Sequence, residues 1–253
     1  MQNDIKIKVR NLHKAFGKHQ VLDGVDLDVQ KGKSLVILGG SGTGKSVLIK
    51  TIIGLMNPDS GTIEIDGIDT TNISKRKRFS MLEKYGFLFQ GGALFDSLNI
   101  CDNVTFLAEK LKSMTYLERR DLALRKLESV GLTEKVLDLY PAELSGGMLK
   151  RASLARTICN DPELIFFDEP TTGLDPIMAN VINELIVKVR DELGATTVTI
   201  THDMASARAI ANDIALLHGG KILWRGSKEE MDNTDNPHLK QFINGLTTGP
   251  IEA

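Results

Sequence analysis

The chain has 253 residues, of which 42% are hydrophobic and 25% are charged, and its formal net charge at pH 7 is -2. This length and composition predict a soluble α/β protein with one large core and an inserted subdomain. The lack of a basic excess argues against nucleic acid as the main partner, and no apolar stretch reaches the ~18 to 20 residues that span a bilayer.

The start of the chain and its cysteines indicate the compartment. The sequence MQNDIKIKVR has neither the apolar core of a secretory signal nor the bias of a transit peptide, so we expect the protein to stay where it is made. Cys101 and Cys159 lack metal-ligand spacing, and we expect them to be the reduced thiols of a cytosolic protein.

The first part of the chain predicts antiparallel strands. Residues 1–36 alternate apolar and polar positions, as at Ile5 and Ile7, and GTIEIDG at Gly61 to Gly67 is a further strand between turns. The basic run from Lys75 to Arg78 is predicted to be a solvated loop. The alternative is contact with lipid headgroups, but four cations near an anionic leaflet are worth only about 4 kcal/mol, a millimolar affinity.

A phosphate-binding pattern lies between these strands. GGSGTGKS at Gly39 to Ser46 fits G-x-x-x-x-G-K-[ST], follows the apolar run Leu35 to Leu38 and precedes a helix-like stretch, as the pattern requires. Glycines let backbone N–H groups converge on phosphate oxygens, and the helix dipole adds positive charge. We therefore predict a nucleotide-binding loop rather than a chance turn, with Lys45 on the terminal phosphates and Ser46 on magnesium. Its predicted binding residues are Gly39, Gly40, Ser41, Gly42, Thr43, Gly44, Lys45, Ser46 and Val47.

Four short apolar runs end in polar residues. They are Leu35 to Leu38 before the loop, Tyr85 to Phe89 before Gln90, Leu164 to Phe167 before Asp168 and Glu169, and Thr197 to Thr201 before His202. Such runs predict buried parallel strands, and ligands bind beyond the carboxyl ends of these strands. Gln90 and His202 could instead be surface or packing residues, and the two acids could cap a helix. Their places at strand ends favour a functional interpretation.

Helical spacing begins near residue 96 and predicts a helical subdomain up to residue 159. Within it, LSGGM at Leu144 to Met148 makes Ser145 a candidate N-cap. A helix start alone does not account for Gly146 and Gly147, which are poor helix formers but allow close backbone approach. We therefore predict a second anion-binding helix end. The apolar face of this helix is predicted to carry Met148, Ala152, Ala155 and Cys159, with Lys150, Arg151 and Arg156 on other faces.

The last part of the chain returns to the sheet. Helices are predicted at Ile177 to Leu193 and Met204 to Ala211, and a hairpin around Gly219 and Gly220. We interpret residues 1–253 as a single domain. Its predicted parts are a core with an antiparallel β subdomain (1–95 and 160–234), a helical subdomain (96–159), and a C-terminal helix with a loose tail (235–253).

Taken in order, these motifs resemble those of ABC transporter ATP-binding subunits over nearly the whole chain. The resemblance implies a P-loop ATPase fold with a mostly parallel core sheet, an antiparallel β subdomain and an inserted helical subdomain. The implied motifs are Phe16 as the aromatic A-loop residue, GGSGTGKS as Walker A, Gln90 in the Q-loop, LSGGM as the signature, LIFFDEP at Leu164 to Pro170 as Walker B, Gly173 to Asp175 as the D-loop, and His202 as the switch histidine. The family more often has Tyr at the position of Phe16, which could instead be a core aromatic.

The resemblance also implies ATP and Mg²⁺ as cofactors and a second copy of the chain as a partner. Two copies would sandwich two ATP molecules, with Walker A of one facing Ser145, Gly146, Gly147 and Asp175 of the other. We expect metal-assisted phosphoryl transfer to water. The expected roles are Ser46, Gln90 and Asp168 on Mg²⁺, Glu169 as general base, Lys45 and His202 on the γ-phosphate, and Gln90 as a further catalytic group.

Finer features resemble the MlaF-type ATPases of MCE/Mla phospholipid transport systems. They are Met148 in place of the usual Gln, the segment Phe89 to Val104, and the tail Phe242 to Ile251. This resemblance implies an integral membrane permease (MlaE-like) and an MCE-domain protein (MlaD-like) as partners, and leaves a small STAS-type subunit open. The expected location is cytoplasmic, peripheral on the cytoplasmic face of the inner membrane. The segment GGALF at Gly91 to Phe95 is predicted to be an exposed apolar surface for the permease.

Three other functions stay open at this point. The chain could be the ATPase subunit of an importer or exporter for another solute. It could also be a non-transport ABC ATPase of translation or DNA repair, although such proteins usually carry tandem cassettes, long coiled coils or basic surfaces. A P-loop kinase or GTPase would lack LSGGM and the ordered Gln90 and His202.

Overall fold

The computed structural model describes residues 4–111 and 113–251, and the predicted domain and tail ranges also include residues 1–3, 112, 252 and 253, which lie outside this part. The strands are β1 (Ile5–Phe16), β2 (His19–Gln30), β3 (Ser34–Leu38), β4 (Ser60–Ile65), β5 (Ile68–Asp69), β6 (Tyr85–Leu88), β7 (Leu164–Asp168), β8 (Thr196–Thr201), β9 (Asp213–His218) and β10 (Lys221–Gly226). The helices are α1 (Lys45–Ile52), α2 (Lys75–Leu82), α3 (Ile100–Leu111), α4 (Tyr116–Ser129), α5 (Gly146–Thr157), α6 (Pro176–Leu193), α7 (Met204–Ile210), α8 (Lys228–Asp232) and α9 (Pro237–Asn244).

The chain divides into two compact units. Unit 1 consists of Met1–Leu82 and Thr196–Ala253, and unit 2 is Glu83–Ala195. This division differs from the predicted one into a core and a helical segment. Strands β6 and β7 fall in the same unit as the helices α3 to α5, because they pair with each other and β6 packs against α5.

Unit 1 contains the predicted antiparallel sheet, in the order β2-β1-β4-β5. The apolar residues of its alternating pattern face inward, and Ile7, Val9, Val25 and Leu27 are all buried. The strand predicted at Gly61 to Gly67 corresponds to β4 and pairs with β1. The period of two in the sequence therefore placed this sheet correctly.

Unit 1 also contains the adjacent strands β10, β9, β3 and β8. Strand β3 is parallel to both β8 and β9, whereas β10 is antiparallel to β9. All residues of β3 and β8 are buried, as is typical of strands in a parallel sheet, although four of the six residues of β8 are threonines. In the pairing of β3 with β8, Leu38 lies opposite Thr201, so that the two strands end together.

Unit 2 is built on the parallel pair β6 and β7, in which Leu88 lies opposite Phe167. The rings of Phe87 and Phe166 stack across this pair with centroids 5.4 Å apart and planes 5° apart. Helices α3, α4 and α5 pack against one another in the same unit. The helix α4 begins with a capping box of Thr115 and Glu118, in which each side chain bonds the other's backbone N–H.

Two local expectations are corrected. The basic run from Lys75 to Arg78 is not a loop but the first turn of α2, none of whose residues is buried. Its sequence has no apolar period from which a helix could be predicted. The C-terminal tail is not loose up to Ile251, because the side-chain amide of Gln241 donates to the carbonyls of Leu246 and Ile251 and accepts from the Ile251 N–H.

Two further features of the described residues bear on the sequence analysis. Cys101 and Cys159 are both buried, and neither forms a disulfide within the described part of the chain. None of the described helices combines the length and the apolar character needed to cross a membrane.

One buried side chain organises the start of α3. The amide oxygen of Asn103 accepts from the Phe95 N–H at 2.7 Å, and its Nδ2 donates to the carbonyls of Phe95 (3.0 Å), Leu98 (2.9 Å) and Asn99 (3.1 Å). Asn103 has no exposed surface. The side-chain amide of Asn103 therefore fixes the C-terminal part of the segment that follows Gln90, from Phe95 to Asn99.

We predict that Asn103→Ala lowers the free energy of unfolding by about 2 to 3 kcal/mol, because it leaves the Phe95 N–H and several carbonyls without their partner. Chemical denaturation of the purified protein measures this change. The control is Asn244→Ala, which removes one exposed hydrogen bond to the Lys240 carbonyl and is expected to stay within about 0.5 kcal/mol. Equal effects of the two substitutions would contradict the assignment.

Candidate functional site

The loop between β3 and α1 approaches its surroundings closely at two of its glycines. A Cβ on Gly39 would lie 2.5 Å from the Leu217 carbonyl oxygen, and one on Gly44 would lie 2.9 Å from Cγ1 of Val21. Gly44 is also the N-cap of α1 and has a φ of 96°, which favours glycine. The Thr43 hydroxyl donates to the Gly40 carbonyl at 2.9 Å. The glycines that the pattern requires are thus needed for the bend and for the packing.

Lys45 lies at the base of this loop and is only 7% exposed. Its ammonium donates to the carbonyls of Gly39 and Gly40, each at 2.8 Å. The first turn of α1, which begins at Lys45, adds the positive end of the helix dipole. A positive charge and a helix N-terminus therefore coincide in the loop, as binding of a polyphosphate requires.

Phe16 ends β1 and is 49% exposed, so it is not a core aromatic. The ammonium of Lys14 lies 5.7 Å from the centroid of its ring. Phe16 pairs with His19 across the turn from β1 to β2, and Val21, two residues further on, lies against Gly44. An exposed ring beside the phosphate loop fits the predicted stacking on adenine, which stays a prediction.

His202 follows β8 in the position where Gly39 follows β3. Leu38 and Thr201 are paired, so the switch-histidine candidate and the phosphate loop begin at the same edge of unit 1. Asp203 caps α7 by accepting from the backbone of Ala205 and Ser206. Burial raises the pKa of its carboxyl, but the hydrogen bonds from Ser206 and Ala205 outweigh burial and hold that pKa below its ordinary value. The cap fixes the backbone next to the exposed His202.

The acidic candidates and Gln90 lie in unit 2. Leu88 pairs with Phe167 in a parallel ladder, Asp168 is the last residue of β7, and Gln90 lies two residues after the end of β6. Gln90 is exposed and Asp168 half-buried. The helix that follows, α6, is capped by Asp175 and not by Asp168 or Glu169. The alternative that this acidic pair merely caps a helix is therefore wrong.

Glu169 has a φ of 51°, a left-handed conformation that is uncommon for residues with a Cβ. Such strain costs about 1 to 3 kcal/mol and persists where the surroundings enforce it. Here the Thr172 hydroxyl donates to Oε2 of Glu169 at 2.9 Å, and the Thr172 N–H donates to its carbonyl at 3.3 Å. The turn after β7 thereby fixes both the backbone and the carboxylate of Glu169.

The signature motif forms the start of α5 as predicted. Ser145 is the N-cap, and its hydroxyl accepts from the Met148 N–H at 3.4 Å. Gly146 has open space where a Cβ would be, whereas a Cβ on Gly147 would collide with the end of the Met178 side chain. Asp175 accepts from the N–H groups of Ile177 and Met178, each at 3.0 Å. The starts of α5 and α6 thus lie together in unit 2, with Ser145, Gly146 and Asp175 exposed.

The structure shows contacts of α5 that sequence reasoning missed. Lys150 is only 8% exposed, and its ammonium donates to the Gln90 carbonyl at 2.5 Å. The guanidinium of Arg156 lies 4.5 Å from the Phe95 ring centroid and donates to the Ala93 carbonyl. The sequence placed Lys150 and Arg156 on faces other than the apolar one, and the segment after β6 covers the face that carries both residues. No pattern in the sequence indicates this cover.

Among the residues that the structure describes, no group of three or more His, Cys, Asp and Glu side chains could hold a metal ion. Mg²⁺ commonly keeps waters and binds one or two protein carboxylates together with substrate phosphates. The predicted ligands Ser46, Gln90 and Asp168 offer a hydroxyl, an amide and a single carboxylate. This donor set fits a magnesium ion that is bound with a nucleotide better than a permanent protein-only site.

Comparison with known proteins agrees with this geometry. The model of the ABC transporter family matches residues 22–172, more than half of the chain. The relatives of this chain include the intermembrane phospholipid transport system ATP-binding protein MlaF of Haemophilus influenzae, which is 38% identical over 98% of this chain and 94% of that protein. Another is the probable ribonucleotide transport ATP-binding protein mkl of Mycobacterium leprae, 39% identical over 99% of this chain and 72% of that protein.

A solved structure gives the same result for the fold. A dimeric ATP-binding cassette in a post-hydrolysis state, bound to ADP and Pi, matches with a TM-score of 0.80 and 32% identity over 87% of this chain and 98% of that chain. The predicted α/β P-loop fold, with its antiparallel sheet and its helices, is confirmed. The chain belongs to the ABC transporter family and is an ATP-binding, ATP-hydrolysing subunit.

Proposed function

We propose that this ATPase drives phospholipid movement between membranes together with an MCE-type system. The observation that carries the proposal is the similarity to the phospholipid-transport protein of Haemophilus influenzae, which extends over nearly the whole of both chains. Met148 and the segments Phe89 to Val104 and Phe242 to Ile251 support the same function. Transport of another solute is the second candidate, because a relative of similar identity is named for ribonucleotide transport.

The proposed nucleotide-binding groups of unit 1 have separate tasks. Phe16 stacks on adenine, and the loop from Gly39 to Val47 holds the phosphates. Lys45 and His202 hold the γ-phosphate. Because the transition state of phosphoryl transfer spreads charge over the phosphoryl oxygens, fixed positive charge and N–H groups supply much of the catalysis.

In unit 2 we assign Glu169 as the general base that takes the proton of the attacking water. The left-handed turn and the Thr172 hydroxyl orient its carboxylate before the nucleotide binds. Asp168 and Gln90, with Ser46 of unit 1, are the proposed magnesium ligands. When bound, Mg²⁺ would neutralise negative charge on the phosphates.

We further propose that two copies of the chain close on two ATP molecules. Ser145, Gly146, Gly147 and Asp175 of each copy then face the nucleotide held by Walker A of the other copy. The dimeric state of the related cassette bound to ADP and Pi supports this arrangement. Loss of the γ-phosphate removes an anion that both copies bind, so hydrolysis weakens the closed dimer.

We predict that Glu169→Gln lowers the turnover number for ATP hydrolysis by about 10² to 10⁴, the usual worth of general-base catalysis. ATP affinity is expected to stay unchanged and the closed dimer to live longer. Phosphate release measures turnover, and size exclusion with ATP measures the dimer. The control is Glu163→Gln, an exposed glutamate just before β7 that lies 3.8 Å from Lys84. Normal hydrolysis by Glu169→Gln would show that another group is the base.

The proposed contact with the permease is the GGALF segment of unit 2. Leu94 is half-buried and Phe95 is 40% exposed. Beside them lies a cavity of about 210 Å³, lined by Gly91, Leu94, Asp96, Pro141, Ala142, Leu149 and Ser153. An apolar surface with an adjoining depression fits a partner segment. Through this contact the subunit would be held at the cytoplasmic face of the membrane.

We expect Leu94→Asp to reduce copurification with the permease at least about tenfold, because a desolvated, unpaired carboxylate in such a contact costs more than 1.4 kcal/mol. Basal ATPase activity is expected to persist. Leu117→Asp is the matched control, since Leu117 is 75% exposed and lies on α4 of the same unit. Unaltered copurification of Leu94→Asp would remove this surface from the proposal.

The substrate is tested by reconstituting the subunit with its copurifying membrane partners in proteoliposomes. We expect ATP-dependent transfer of fluorescent phospholipid between vesicle populations, and we expect Glu169→Gln to abolish it. Uptake of labelled ribonucleotide is measured in parallel. ATP-dependent ribonucleotide uptake without lipid transfer would reject the lipid function and support the second candidate.

A further inference from the structure

One face of the signature helix α5 is joined by polar side chains to β6 and to the segment that follows it. The ammonium of Lys150 donates to the Gln90 carbonyl at 2.5 Å, and the guanidinium of Arg156 donates to the Ala93 carbonyl at 2.5 Å. The hydroxyl of Thr157 donates to the Phe87 carbonyl at 3.0 Å. A Cβ on Gly92 would meet the Ser153 hydroxyl. Because residues three or four apart share a helix face, these side chains form a continuous row along α5.

Lys150 differs from the other members of this row in its charged neighbours. The charges of Asp168 and Glu169 favour the ammonium form of Lys150, whereas burial lowers the pKa of Arg156. Burial is the largest influence on Lys150 and holds its pKa below the ordinary value, and the two carboxylates oppose this shift. A buried cation needs such compensation from carboxylates and hydrogen-bond acceptors.

We propose that Lys150 is a positioning residue for ATP hydrolysis, acting through the Gln90 main chain and the carboxylates of Asp168 and Glu169. The hydrogen bond to the Gln90 carbonyl fixes where the Gln90 side chain leaves the backbone. The positive charge offsets the repulsion between two neighbouring carboxylates, and so helps to hold both in place. This inference rests on the proposed roles of Gln90, Asp168 and Glu169.

The position of Lys150 on the signature helix gives the proposal a mechanical consequence. Lys150 lies five residues after Ser145, the exposed N-cap of the same helix. A displacement of α5 therefore moves the group that holds the Gln90 carbonyl and balances the acidic pair. Contact between Ser145 and a nucleotide on the other copy would then affect the position of the Glu169 carboxylate, which activates water.

The test compares Lys150→Met, which removes the charge and the donor, with Lys150→Gln, which keeps an N–H donor without the charge. Arg156→Met is the matched control, since it removes a neighbouring bond to the same segment from a side chain whose pKa is lowered by burial alone. The full chain with Mg²⁺ is used throughout. Phosphate release gives kcat and KM, calorimetry gives the Kd for ATP, and thermal unfolding gives Tm.

We expect Lys150→Met to lower kcat by about tenfold to a hundredfold, the loss typical of a misplaced catalytic group. The Kd for ATP is expected to change by less than about threefold, because Lys150 acts on groups of the hydrolytic step. Lys150→Gln is expected to recover part of kcat through its N–H. Arg156→Met is expected to change kcat less than Lys150→Met does.

Two results would overturn the proposal. One is a normal kcat in Lys150→Met. The other is a parallel loss of kcat, ATP affinity and Tm in Lys150→Met and Arg156→Met. This result would show that the row of side chains on α5 has only a structural role. If Lys150→Met does not fold, Lys150→Gln decides: a normal kcat overturns the proposal, and a reduced kcat with unchanged ATP affinity supports it. Because lipid transfer is not measured here, and Glu169→Gln is assayed separately, failure of this proposal is distinct from failure of the proposed function.

Discussion

The backbone hydrogen bonds that pair β3 with β8 and β6 with β7 decide where the functional side chains lie. In unit 1 Leu38 is opposite Thr201, and in unit 2 Leu88 is opposite Phe167. Parallel ladders with buried strands tolerate no slip of one residue, since a slip would turn every side chain to the other face. The polar residues that follow each pair are therefore placed at a common edge within their own unit.

Close backbone approach and local strain then adjust these positions. The phosphate loop packs so tightly that Gly39 and Gly44 cannot carry a Cβ without a clash. Glu169 is held in a left-handed conformation by the turn that ends at Thr172. Both features cost conformational freedom or strain, and both occur where phosphate binding or water activation is proposed. The stable strands on which they are built provide the free energy that maintains them.

The helix α5 shows how a polar sequence can form a packed element. Its start is set by the Ser145 cap, and its inward row contains Lys150, Arg156 and Thr157 rather than only apolar residues. Lys150 and Arg156 donate to carbonyls of the segment after β6, and Thr157 donates to the carbonyl of Phe87 within β6. These bonds remove the cost of burying unpaired polar groups. Burial of charge is thus a consequence of where the segment after β6 runs, and the helical period of the sequence gives no indication of it.

Local regularities were enough to determine the strands, most helices, the helix starts at Lys45 and Gly146 and the family, because period, glycine placement and capping residues act over a few positions. The helix α2 was not predicted, because Lys75 to Arg78 carry no apolar period. The attachment of the tail to Gln241 was not predicted either. The burial of Lys150, the cover of Arg156 and the conformation of Glu169 were decided only by tertiary structure. They depend on contacts between segments tens of residues apart, whose side chains acquire their environment only when the chain has folded.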